Sequence, residues 1–204
     1  MLPACDASSI GCSTAAANDG WRWSSNIATG LSWIPAPRQR RGWPTTSFTY
    51  DARMARLNYS RLTDRLLAGA MPHSAEHVAT LHDEGVQLVI NLCEEREYWV
   101  GEREAVLSAY GKVRIRELHM PVKDGATIPP GVIDAAVKSG ASTVAYVHCR
   151  GGRERSATVA TALLAREQQL SIDQAMALAR AGRPVFCPLP WQMAGLQAWA
   201  ANIT

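Results

Sequence analysis

The chain carries 204 residues, of which 47% are hydrophobic and 19% charged, with a formal net charge of +3. That length allows one domain with an extension or two small domains, the apolar share suffices for a sizeable core, and the charge is too small to argue for a nucleic-acid partner. Five cysteines, odd in number and irregularly spaced, read as reduced thiols in a cytoplasmic protein; no CxxC or paired His/Cys spacing points to a metal, and no apolar run approaches membrane-spanning length.

Residues 1–48 differ in composition from the rest of the chain. They begin small and polar, then present Trp21, Trp23, Trp33 and Trp43 without helical or strand periodicity, among Pro and Arg. The segment reads as a disordered or loosely packed extension; the other reading is a basic aromatic arm in weak contact with a membrane surface. The folded domain is then 49–204. A short strand over 66–70 stops at Pro72, and Ser74 caps a helix with Val78 and Leu81 on one face, ended by Gly85. Residues 86–92 give the strongest strand signal, suited to a central parallel position. A helix over 98–110 and a half-exposed strand over 113–120 lead into a loop with Pro121, Gly125, Pro129 and Pro130. A helix over 130–140 starts with proline, and 143–147 is a buried strand by its β-branched and apolar composition. Helices follow from Ser156, from the capping box Ser171–Gln174, and over 191–201. Strands alternating with helices imply an α/β fold, a mostly parallel central sheet flanked by helices, with the functional loops at the strand C-termini. His73, His77 and His82 read as surface histidines, and Glu94, Glu95 and Gln192 as solvated side chains.

The stretch 143–164 concentrates the chemistry. Between its strand and its helix lies a tight loop with Cys149 at the start, Gly151 and Gly152 inside, and Arg155 at the end. Successive backbone N–H groups converge in such a turn and the helix N-terminus adds partial positive charge, which makes an anion site. A cysteine at its mouth ionises easily and becomes a nucleophile aimed at a bound oxyanion. A buried cysteine beside a salt-bridged arginine is the bland alternative.

His148, Cys149, Gly152, Arg155 and Ser156 stand in the order H-C-x2-G-x2-R-S, which resembles the signature loop of the cysteine-based protein tyrosine phosphatases, their dual-specificity branch above all. Arg150 and Arg153 bring the loop close to the mitochondrial phosphatidylglycerophosphate phosphatase-like members, and Glu154 departs from that pattern. The resemblance implies a dual-specificity phosphatase-like catalytic domain over 49–204, hydrolysing a phosphomonoester through a cysteinyl-phosphate. Cys149 is then the nucleophile, Arg155 holds the phosphoryl oxygens, Ser156 hydrogen-bonds the thiolate, and Asp124, on the loop between Pro121 and Pro129, is the general acid. His148, Arg150, Gly151, Gly152, Arg153 and Glu154 are the implied substrate-binding residues. No metal or cofactor is implied, and the substrate is a phosphotyrosine, phosphoserine or phosphothreonine protein or a phospholipid-type phosphomonoester. A rhodanese-like sulfurtransferase and a non-catalytic phosphate-binding module are the alternatives. The spacing to Arg155, the following Ser156 and the Asp124 loop argue against the first.

Overall fold

The computed structural model describes residues 56–202. The extension 1–48, and with it the question of membrane contact by that arm, lies outside the described residues. In chain order the elements are β1 (Tyr59–Arg61), β2 (Leu66–Gly69), α1 (Ala75–Asp83), β3 (Leu88–Asn91), α2 (Glu102–Val113), β4 (Arg116–His119), α3 (Pro130–Gly140), β5 (Ala145–His148), α4 (Arg155–Gln168), α5 (Ile172–Gly182) and α6 (Pro190–Ala201). The sheet order is β1-β2-β5-β3-β4; β1 pairs antiparallel with β2, and every other neighbouring pair is parallel. This is the expected α/β architecture with one added edge strand, β1, three residues too short and too exposed to show an alternating pattern.

Strand side chains alternate between the sheet's two faces, and the two cores follow that alternation. Leu66, Ala68, Leu88, Ile90, Ala145 and Val147 face the core built with α3, α4, α5 and α6. Leu67, Val89 and Tyr146 face the other core, with Val78 and Leu81 of α1 and Val106 and Ala109 of α2. Burial on both faces explains why β2, β3 and β5 read as near-continuous apolar runs rather than alternating ones. Helix α4 is buried from Arg155 through Ala165. Its small residues Ala157, Ala160 and Ala162 suit a helix enclosed on all sides, because they allow close approach of neighbouring backbones.

Several boundaries differ from the sequence reading, among them the start of β4 at Arg116 rather than 113 and both ends of α2. Helix α2 begins at Glu102 rather than near 98, because Gly101 takes a left-handed conformation (φ 78°) and a 3-10 turn over Glu95–Glu97 comes first. It then runs past Gly111 and stops where Arg114 turns left-handed (φ 59°). His77 is also not a surface residue: it is buried, and its Nδ1 accepts the His73 N–H at 3.1 Å, at the head of α1.

The parallel register places the strand C-termini side by side, with His148 opposite both Gly69 and Asn91, and Asn91 opposite His119. The segments that leave β5, β3 and β4 therefore start from one rim.

Candidate active site

Cys149 follows the last residue of β5, and Arg155 opens α4. The loop between them is pinned from outside through its carbonyls. Met71 N–H donates to Arg150 O (3.2 Å), Cys187 N–H to Arg153 O (2.9 Å), and Arg183 Nε to Gly152 O (3.0 Å). In a planar trans peptide the N–H points opposite to the C=O. Fixing those carbonyls outward therefore turns the N–H groups of residues 151, 153 and 154 inward. Gly152 has φ +64° and lies against the backbone that leaves β2; a Cβ there would sit 2.3 Å from the Gly69 carbonyl carbon. Only glycine fits, so this residue shapes the loop from beneath. The loop encloses an open cavity of about 300 Å³ lined by Asp124, Cys149, Arg150, Gly151, Arg153, Glu154 and Arg155. Of the expected binding residues, Gly152 and His148 stand outside that lining.

The Arg155 side chain is only 1% exposed and is held by the two segments that follow β3 and β4. Its Nη1 donates to Leu92 O (3.2 Å), Val122 O (2.9 Å) and Glu97 Oε2 (2.7 Å), and its Nη2 to Glu97 Oε1 (2.8 Å). Asp124 Oδ1 takes Nη2 as well, at 2.9 Å. The remaining donor, Nε, is buried without a partner. A buried unpartnered donor on a fully charged group is costly, and here it belongs to a residue lining the cavity where an oxyanion would satisfy it. The Asp124 carboxylate is 71% exposed, so it sits on the solvent side of the guanidinium and is free to swing.

Cys149 Sγ lies 3.4 Å from Ser156 Oγ, which is fully buried at the first turn of α4. His148 lies below the loop: it is 1% exposed, stacks on Tyr146 at 5.8 Å between ring centroids, and places Nδ1 3.8 Å from Cys93 Sγ. Burial pushes its imidazole pKa down to about 3, so the ring is neutral at ordinary pH and contributes packing rather than charge. Cys93 and Cys149, the two cysteines beside the site, are free thiols, in line with the expectation of reduced cysteines there. Burial pushes the Cys93 thiol far up, with the Glu97 charge adding to it, which leaves Cys93 protonated and poorly nucleophilic.

Sequence reasoning missed two residues at this site. Glu97 grips Arg155 with both oxygens from the 3-10 turn after β3, while its Oε2 also accepts the Glu94 N–H at 2.8 Å. Burial alone would raise its carboxyl, but the Arg155 hydrogen bonds and charge, with the Glu94 N–H, hold it below the ordinary carboxylate value. The weighed glutamates serve otherwise: Glu94 pairs with Arg96, and Glu95 with Arg103. Arg103 in turn forks onto Glu117 at 2.7 and 2.8 Å, which ties α2 to β4 beneath the turn that carries Glu97. The second missed residue is Gln192, expected to be a surface side chain and fully buried in fact. Its Oε1 accepts the Leu189 N–H (3.0 Å), and its Nε2 donates to Ala126 O (2.9 Å), two residues beyond Asp124. The start of α6 thus braces the Asp124 loop, helped by the Trp191 indole N–H donating to Gly125 O at 2.8 Å.

A parallel α/β sheet carrying a Cys-x5-Arg loop on its C-terminal rim, with an aspartate from a neighbouring loop on the arginine, defines a phosphatase-type site. Residues 60–184 match the family model PTP-SAK, the Swiss Army Knife protein DSP-PTPase phosphatase domain, and the chain belongs to this family within the cysteine-based phosphatase superfamily. Dual specificity phosphatase 28 of Homo sapiens is 36% identical over 93 residues, which cover 42% of this chain and 52% of the relative. The chain thus spans about half the length of the first curated relatives it matches. Phosphatidylglycerophosphatase and protein-tyrosine phosphatase 1 of Homo sapiens is 28% identical over 154 residues, 72% of this chain and 75% of that protein. A crystal structure of PTPMT1 shares the fold with a TM-score of 0.63 at 25% identity, over 71% of this chain and 95% of that one.

Proposed function

We propose that this chain hydrolyses phosphomonoesters through a cysteinyl-phosphate on Cys149. The observation that carries the reading is the cavity lined by Cys149, the residues of its loop and the buried Arg155, whose Nε has no partner within the protein. A phosphoryl group entering it takes hydrogen bonds from Arg155 and from the loop, which match the charge spread over its equatorial oxygens in the transition state. Asp124 leaves Nη2 as the phosphate arrives, takes up a proton from solvent and turns to the leaving oxygen. The Cys149 thiolate attacks phosphorus, the P–O bond to the leaving group breaks, and Asp124 gives its proton to that oxygen. In the second step Asp124 takes a proton from water, the water oxygen attacks phosphorus, and the S–P bond breaks. Ser156 hydroxyl then donates to the departing thiolate across the 3.4 Å contact.

Phosphoproteins and phospholipid-type phosphomonoesters both remain as substrates. One relative's name joins the two activities, phosphatidylglycerophosphatase and protein-tyrosine phosphatase. Arg150 and Arg153 line the cavity and are exposed, which favours a substrate with anionic groups beyond the scissile phosphate. Cys149→Ser is the direct test. It should abolish p-nitrophenyl phosphate turnover in a protein that still melts cooperatively, and residual turnover within about tenfold of wild type would reassign the nucleophile.

A further inference from the structure

The described residues expose five large apolar side chains: Trp99, Val100, Leu107, Val185 and Trp191. Leu107 stands on α2, and the other four lie within three residues of groups that build or brace the cavity. Trp99 and Val100 follow Glu97, the partner of Arg155, by two and three residues and are 75% and 108% exposed. Val185 is 48% exposed between Arg183 and Cys187, which hold the Cys149 loop through Gly152 O and Arg153 O. Trp191 is 52% exposed and bonds Gly125 O, beside Asp124. Two to three residues of chain span at most about 7–11 Å, so three separate segments carry exposed apolar residues within about that distance of residues that build or brace the cavity.

Unpaired charge beside the cavity leans cationic. Lys123, Arg150 and Arg153 are exposed, and among the described residues no salt bridge engages them. Arg96 is exposed too but is matched by Glu94. Against them stand half-buried Glu154, exposed Glu104 at the start of α2, and exposed Asp124 and Glu95, the last two neutralised on Arg155 and Arg103. Exposed Trp and Val interleaved with unpaired Lys and Arg match the chemistry of a bilayer interface, where indole rings settle at headgroup level and cations are drawn to anionic lipid.

We infer that the rim around the Cys149 cavity is a docking face for an anionic phospholipid bilayer, seating the cavity against headgroup phosphates. The inference rests on the phosphatase reading for what happens after docking, but the docking itself does not need catalysis. A soluble phosphopeptide partner is the outcome that would displace it. The occupant is set by the apolar groups coming from three loops around a cationic mouth rather than from one groove that would seat an extended chain.

The test uses the full chain, wild type and W99S/V100S/V185S, sedimented with phosphatidylcholine vesicles with and without about 20 mol % phosphatidylglycerol. None of the three side chains is part of the catalytic machinery, and all are exposed. Wild type should bind the anionic vesicles, and added salt should weaken that binding. The triple variant should partition at least about tenfold more weakly while p-nitrophenyl phosphate turnover and vanadate inhibition stay within about twofold. Equal vesicle binding by variant and wild type, or no binding by wild type, overturns the docking face. So does a raised KM for a phosphopeptide with vesicle binding unchanged. Wild type that binds vesicles but turns over no aryl phosphate sinks the phosphatase reading and leaves the docking face standing.

Discussion

Replacing Glu97 by Gln keeps the shape of the buried pair with Arg155 and removes its negative charge. The two side chains are 7% and 1% exposed and joined by two hydrogen bonds of 2.7 and 2.8 Å. Breaking a buried ion pair by removing one partner costs about 3–5 kcal/mol, because the other charge is left uncompensated. Here Arg155 keeps Leu92 O, Val122 O and Asp124, and glutamine retains one acceptor, so the expected loss is the smaller figure of about 2–3 kcal/mol. It should appear as a lower urea midpoint with an unchanged slope. The chemistry should suffer separately, since a guanidinium displaced by about 1 Å costs on the order of 10²-fold in kcat/KM. The folded-state pKa of Glu97 is depressed, so its contribution is present above the unfolded-state value of about 4.3 and is lost as pH falls through the folded value. The stability gap between wild type and variant should therefore narrow as the solution is acidified below about pH 4.3. A variant that melts within about 0.5 kcal/mol of wild type and keeps kcat/KM within about twofold would refute the idea that Glu97 sets Arg155.

Asp124→Asn should slow phosphopeptide or lipid phosphate hydrolysis by about 10²–10⁴-fold and an activated aryl phosphate far less, because a good leaving group departs without a proton. Vanadate inhibition should persist, and equal losses on both substrate kinds would move the acid elsewhere. Gly152→Ala forces a Cβ onto the Gly69 backbone at a left-handed φ, so it should cost about 2–4 kcal/mol in urea melts and weaken vanadate inhibition; an Ala variant as stable as wild type would show that the loop can shift. Gln192→Leu strands the Ala126 carbonyl and the Leu189 N–H, and should cost about 1–3 kcal/mol, with a fall in kcat on poor leaving groups that an activated aryl phosphate does not share. A purely thermodynamic loss with both kcat values intact would make Gln192 a structural residue only.

The parts of this molecule legible in the sequence are those whose information is local. The β5–loop–α4 unit is contiguous, and its strand composition, glycines and helix start all point the same way. Burial on both faces makes β2, β3 and β5 near-continuous apolar runs, so composition alone marks them, though not their order in the sheet. β1 is three residues paired on one side only, and no periodicity exists over so short a span. The late start of α2 was hidden because Tyr98 and Trp99 continue an apolar pattern, while the backbone obeys Gly101. Gln192 did carry a signal: it is the third residue of a helix opened by Pro190, the position from which a glutamine reaches back to the cap N–H.

Glu97 shows a different limit. Its partner lies 58 residues away, and no pattern within C-E-E-R-E selects the third glutamate over the first two. The choice is made by geometry: a 3-10 turn leaves β3 at the same rim as the Cys149 loop, and Glu94 and Glu95 spend their charges on Arg96 and Arg103. Arg155 then joins three independent returns of the chain, the segments after β3 and β4 and the start of α4. A guanidinium suits that position because its planar fork offers five donors in fixed directions, whereas an ammonium offers three that rotate. Four of those directions are committed to the protein's own carbonyls and carboxylates, which holds the guanidinium plane still. The Nε donor left over therefore points one way before any phosphate arrives, and the reorganisation that binding would otherwise require has been met during folding.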